Sequence, residues 1–267
     1  MRSQISSQSL RFGAHRCGPS LARAILRAVL ISAALLPAPA RASDQVAVAG
    51  RKFSLIAPDQ SRNARSEKQG AEEFVRLEVQ PGDRPPGDNP AVDRIGYDGW
   101  PEPLPAAGEH VIRFSLVPGP GSLARGPGDW WNFFELHAVP ADPQEVKPAG
   151  PLRMTLEWSA RHRETRLRVW RQTPLEKDGW LAGTEQTMLY DGDGRQEGRR
   201  LDFTVAVRTD PVAGSVRIDL NGRRIVDYGG SFGYGGRRLY PQFRIYRNHR
   251  DYPANALFRI EDIATRP

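Results

Sequence analysis

The sequence predicts an all-β protein, built as an antiparallel β-sandwich, and three observations predict it. After residue 42 no long stretch carries the helical period of apolar residues. Short alternating or apolar runs stand between turn signals instead. The chain also has 26 glycines and 23 prolines, which interrupt regular structure at close intervals. Residues 43–267 are long enough for one large core, so a single domain is expected there.

The elements follow in order. Residues 43–70 are polar and give no clear assignment apart from a short apolar run, KFSLIA at 52–57. FVRLEVQ at 74–80 sets Val75, Leu77 and Val79 against Arg76, Glu78 and Gln80, which is strand alternation. A loop rich in proline and glycine is expected at 80–108, with Tyr97 and Trp100 as anchors. HVIRFSLV (110–117), WNFFELHAV (131–139), LRMTLEW (152–158) and TRLRVWR (165–171) read as strands. A second long loop is expected at 172–199, anchored by Trp180 and Tyr190, and LDFTVAVR (201–208) is the next strand. SVRIDL and RRIVDY flank Asn221-Gly222, a pair that tolerates the positive φ angles of a two-residue hairpin turn. YPQFRIYR (240–247) and ALFRIEDIA (256–264) complete the set.

Residues 1–42 are expected to lie outside this domain. They hold six arginines and no acid, followed by the apolar stretch Ala28–Ala40 and the small-x-small triplet Ala40-Arg41-Ala42. This is the pattern of a secretory signal peptide, and the apolar run is too short to span a membrane. Export to the periplasm or beyond is therefore expected, with no membrane attachment after cleavage. The whole chain carries +7, but without the leader 32 basic residues face 31 acidic ones, a net charge of +1. The basic balance is a property of the leader and gives no reason to expect nucleic-acid binding. Cys17, the only cysteine, also lies in the leader. The remainder has no disulfide and no thiolate metal site, and neither metal nor other cofactor is expected.

The strands carry polar faces. Arg76 and Glu78 share one, as do Glu135 and His137. The longest is Tyr240, Gln242, Arg244 and Tyr246, with Phe243 and Ile245 on the other side. Two phenols, an amide and a guanidinium in a row suit a groove for a long polar ligand such as a sugar chain. Rings cover the C–H faces of sugars, and fixed donors meet their hydroxyls. Arginine adds bidentate recognition of carboxylate or sulfate.

FVRLEVQPGD (74–83) with DRIGYDG (93–99) resembles the paired strands with R-x-E elements of jelly-roll polysaccharide lyases. These include the heparin-lyase-I-like, glucuronan-lyase-like and alginate-lyase families. GEHVIRFSLVP (108–118) resembles their next strand, WNFFELH (131–137) their Gln-x-His strand, and VRIDLNGRRIVDY (216–228) their late hairpin. YPQFRIYR (240–247) is similar to their tyrosine motif, and the matches keep their order across 74–264. The resemblance implies a jelly roll (a concanavalin A-like antiparallel sandwich). It also implies β-elimination on a uronic-acid polysaccharide without a required cofactor, by a protein expected to act as a monomer. By carry-over, Tyr246 and His137 are the catalytic candidates. Arg76, Glu78, Arg94, Glu135, Tyr240, Gln242 and Arg244 are the substrate-binding candidates.

Four positions depart from that family pattern. Glu135 stands where a glutamine is usual, Gly96 where an acid is expected, and Gln242 and Arg244 where the alginate motif has lysine and glycine. An ionised Glu135 would repel a substrate carboxylate unless it is protonated, paired with an arginine or held out of contact. A noncatalytic glycan-binding jelly roll is therefore the alternative reading. A glycoside hydrolase ranks below both, because the E-x-D-x-x-E signature is absent. His110 and His162 are expected to be solvated, His249 to be a loop residue, and YDGDGRQEG (190–198) to be a turn rather than a calcium loop.

Overall fold

The structure is a computed structural model that describes residues 45–85, 88–140, 150–177, 180–234, 237–248 and 250–267. The leader and His249 lie outside the described residues. One sheet has eight strands in the spatial order β1 (Gln45–Val48), β2 (Arg51–Ile56), β5 (Val92–Asp98), β14 (Leu239–Asn248), β7 (Trp130–Ala138), β8 (Leu152–Ser159), β9 (Glu164–Lys177) and β10 (Trp180–Asp193). The other has seven, in the order β13 (Arg223–Gly229), β12 (Ser215–Leu220), β11 (Leu201–Arg208), β6 (Glu109–Pro118), β15 (Ala254–Arg266), β4 (Glu72–Val79) and β3 (Ala64–Gln69). Adjacent strands pair antiparallel, and the two sheets form a jelly-roll sandwich.

The alternating apolar residues of the two sheets meet in one core. Phe114 on β6 stacks on Phe134 of β7 and on Phe203 of β11, each at 5.0 Å, and meets Phe243 of β14 edge-on at 5.2 Å. One ring of the seven-stranded sheet thus anchors the inner faces of β7 and β14. The outer faces of those two strands carry the polar rows. The 221–222 turn forms as expected, with φ of 50° at Asn221 and 76° at Gly222.

Four readings change. Residues 45–70, left unassigned apart from the apolar run at 52–57, form β1, β2 over that run, a short helix at Gln60–Asn63 and β3. The expected loop at 80–108 contains β5, a central strand. The expected loop at 172–199 is mostly a long hairpin of β9 and β10. β10 is an edge strand that pairs only with β9, so it needs no continuous apolar face and gives little sequence signal. His110, expected in solvent, is fully buried because β11 and β15 flank it on both sides. Its Nδ1 lies 3.0 Å from Thr265 Oγ1, and burial pushes its pKa down. His162 is exposed.

Candidate functional site

β14 fulfils its alternation. Leu239, Phe243 and Ile245 join the core, while Tyr240, Gln242, Arg244 and Tyr246 point away from it. β7 and β5 pair with β14 on its two sides and complete the face. Tyr240 lies opposite His137, and Gln242 lies opposite both Glu135 and Asp98. Arg244 lies opposite Gly96, and Tyr246 opposite both Arg94 and Asn132.

The side chains form a continuous set of contacts. Glu135 Oε2 pairs with the Arg244 guanidinium and accepts from Asn132 Nδ2 at 2.8 Å. His137 Nε2 is 3.2 Å from the same oxygen, and the imidazole stacks on Tyr240 with centroids 5.4 Å apart. At the other end, Arg244 Cζ lies 4.7 Å from the Tyr246 ring centroid and Arg94 Cζ 6.0 Å. The Glu135–Arg244 pair therefore lies between the two catalytic candidates. Gln242 Nε2 donates to Asp98 at 3.0 Å, and Arg94 Nη1 is 3.3 Å from Asp88.

Burial divides the row. Tyr240, Gln242, Arg244, Glu135 and Asn132 are buried, whereas Tyr246, His137 and Arg94 are partly exposed. The first group is a floor, and the second reaches solvent. Burial alone would raise the Glu135 pKa, but attraction to His137 and Arg244 outweighs it and holds the carboxyl well below its usual range. Burial lowers the Arg244 pKa, against the opposing pull of Glu135. Burial, with Asp98 beside it, pushes the Tyr240 phenol up and keeps it neutral. Of the three escapes open to Glu135, the structure uses pairing with arginine.

The departures from the family pattern interlock. A Cβ at position 96 would sit 2.3 Å from Arg244 Cβ and 2.5 Å from the Phe243 carbonyl oxygen, so the glycine makes room for the arginine. Arg244 in turn supplies the charge that Glu135 requires.

Arg76 and Glu78 are not brought to this site. They lie on β4, in the seven-stranded sheet, on the face opposite the core residues Leu77 and Val79. Arg76 binds Glu67 at 2.5 Å and Asn255 at 2.9 Å, and Glu78 lies 3.7 Å from Arg65. Local alternation cannot tell which sheet a strand joins.

Sequence reasoning also missed residues. Asn132 and Trp130 would face the core if β7 alternated regularly from Leu136. An irregularity at 132–134 leaves both Phe133 and Phe134 in the core and turns Asn132 and Trp130 to the polar face. The adjacent phenylalanines were the available signal. Trp130 then meets Tyr246 at 5.1 Å, and Trp100 meets Tyr240 at 5.2 Å.

No family model matches the chain, and no curated protein matches it. Solved structures do. Alginate lyase PA1167 from Pseudomonas aeruginosa is 12% identical, with a TM-score of 0.54 over 80% of this chain and 98% of that one. The family 7 alginate lyase A1-II' is 11% identical, with a TM-score of 0.54 over 79% and 92%. Alginate lyase Aly36B, solved with an alginate trisaccharide, is 10% identical, with a TM-score of 0.52 over 84% and 98%. At these identities the likeness is one of fold, and the chain has the jelly-roll sandwich of the alginate lyases.

Proposed function

We propose that the protein is an exported polysaccharide lyase that cleaves a uronic-acid polymer by β-elimination. The observation that carries this reading is the position of Tyr246. It is a partly exposed phenol with Arg244 over its ring and Arg94 beside it, on the face that also holds His137. The fold shared with alginate lyases supports the same reading.

In this reaction a base takes the C5 proton of the uronate. The electron pair passes through the carboxylate-stabilised carbanion into a C4–C5 double bond, and the C4–O4 bond breaks as an acid protonates O4. Tyr246 is assigned proton transfer at C5, at O4 or at both. The nearby guanidinium places positive charge where a phenolate forms. His137, oriented by Tyr240 and Glu135, is assigned as second proton carrier or as donor to the substrate carboxylate. Arg94, partly exposed and paired with Asp88, is assigned as the cation that faces that carboxylate. Tyr240, Gln242, Arg244 and Glu135 form the floor that holds these groups in place.

The deciding measurement is ultraviolet absorbance of the new double bond on a panel of uronate polymers. A rise on one polymer is expected, and Tyr246→Phe should lower the rate by about 10²–10⁴-fold while binding persists. One observation favours the noncatalytic alternative, namely that Glu135 engages the Arg244 charge. Binding of a polymer with no absorbance rise on any would establish that alternative.

A further inference from the structure

On the β8 side of the row, the same face continues into a depression of about 190 Å³ lined by Trp130, Arg153, Thr155 and Glu157. Its charges are unevenly satisfied. Glu157 accepts from Thr155 Oγ1 at 2.6 Å, Arg168 Nη1 at 2.8 Å and Trp170 Nε1 at 3.0 Å. Its carboxylate is thus matched from within the protein.

Arg153 is not. Its Nη2 donates to the neutral Gln186 Oε1 at 3.3 Å, and its Nε is buried without an acceptor. Of the arginines on this face in β5, β14, β7, β8 and β9, four meet a carboxylate: Arg94, Arg244, Arg166 and Arg168. Among the described residues Arg153 meets none. It lies directly opposite Glu135 in the β7–β8 register, and Trp130 joins the depression to Tyr246.

A guanidinium with open donors beside a partly exposed indole fits a carboxylated pyranose. The indole covers a C–H face of the ring, and the guanidinium takes the carboxylate in a two-point contact.

We propose that this depression is a second subsite, in which Arg153 binds the carboxylate of another uronate of the same chain and Trp130 covers its ring. The proposal rests on the reading of the face as a uronate-polymer site and gives that polymer a direction. The chain crosses the strands from β14 to β8, a distance of about 10 Å for two strand spacings, rather than following β14.

The test is calorimetric titration of the protein carrying Tyr246→Phe, so that ligands are not consumed. The probes are 1,4-linked oligouronates of two to six residues and the same oligomers with carboxylates reduced to alcohols. Affinity should rise about tenfold at the length that fills the second subsite, a step of one decade in Kd. Adding Arg153→Gln should abolish that step and keep the affinity of the shortest oligomer. Arg153→Lys should retain part of the step, and reduced oligomers should show none. Trp130→Ala, a second variant, should weaken the same step, with circular dichroism confirming the fold. A step that survives Arg153→Gln, or a loss equal at every length, would overturn the subsite and leave the parent reading intact. Failure of the parent protein to bind any oligouronate would overturn both.

Discussion

The outer faces of the two sheets are built from the same residue types, yet they differ in kind. On the seven-stranded sheet, arginines and carboxylates form an exposed ladder. Arg113 pairs with Asp262 at 2.7 Å. Arg200 reaches Asp202 at 2.5 Å and Glu261 at 3.2 Å, and also meets Glu72, which Arg259 shares. These side chains are roughly a third to a half exposed. On the eight-stranded sheet, the Arg244 and Glu135 side chains are 7% and 8% exposed, and they sit among His137, Tyr240 and Tyr246. That face also leaves buried polar atoms without partners, including Asn132 Oδ1, Gln242 Oε1 and Arg153 Nε. The first face is largely paired from within and solvated, although Arg217 Nε on β12 is buried without a partner. The second is aromatic and desolvated, and more of its buried polar atoms lack partners.

The sharpest way to break this contrast is to remove one partner from each face. Glu135→Gln strands the buried Arg244 charge and should cost about 3–5 kcal/mol in urea denaturation. Adding Arg244→Met should recover most of that loss, because a buried pair replaced as a unit is close to neutral. The loss should also depend on pH. The Glu135 pKa is depressed in the fold, so its stabilisation is complete above its ordinary value of 4.5 and fades as pH falls through the depressed value. The gap between the parent protein and Glu135→Gln should therefore narrow on acidification, as followed by thermal melts. A smaller effect, about 1–3 kcal/mol, is expected for Gly96→Ala, whose methyl meets Arg244 Cβ and the Phe243 carbonyl. The smallest is expected on the other sheet. Arg113→Ala should change stability by no more than about 1 kcal/mol, and raised salt should shrink even that. A large loss at Arg113 would erase the distinction between the faces.

Particular residues show how far the sequence could be read. The Tyr240–Tyr246 row was legible because β14 alternates without a break and its inner residues are strongly apolar. The Asn221-Gly222 hairpin was legible because the chemistry of a turn is local. Arg76 and Glu78 carry the same alternating pattern as the row, but they belong to the opposite sheet. Trp130 and Asn132 were hidden by the break in alternation at 132–134, and Arg153 by the register that sets it beside Glu135. The β9–β10 hairpin gave little signal because an edge strand can be polar on both faces.

The amino-acid sequence by itself determined the fold class and the inner and outer faces of the strands that alternate regularly, because successive side chains of an extended chain must point to opposite sides. Only the tertiary structure decided which strands are neighbours, which polar faces share a sheet, and that Arg244 neutralises Glu135 over Gly96. Those outcomes depend on pairings between strands distant in the chain, and alternation within one strand carries no information about its partner.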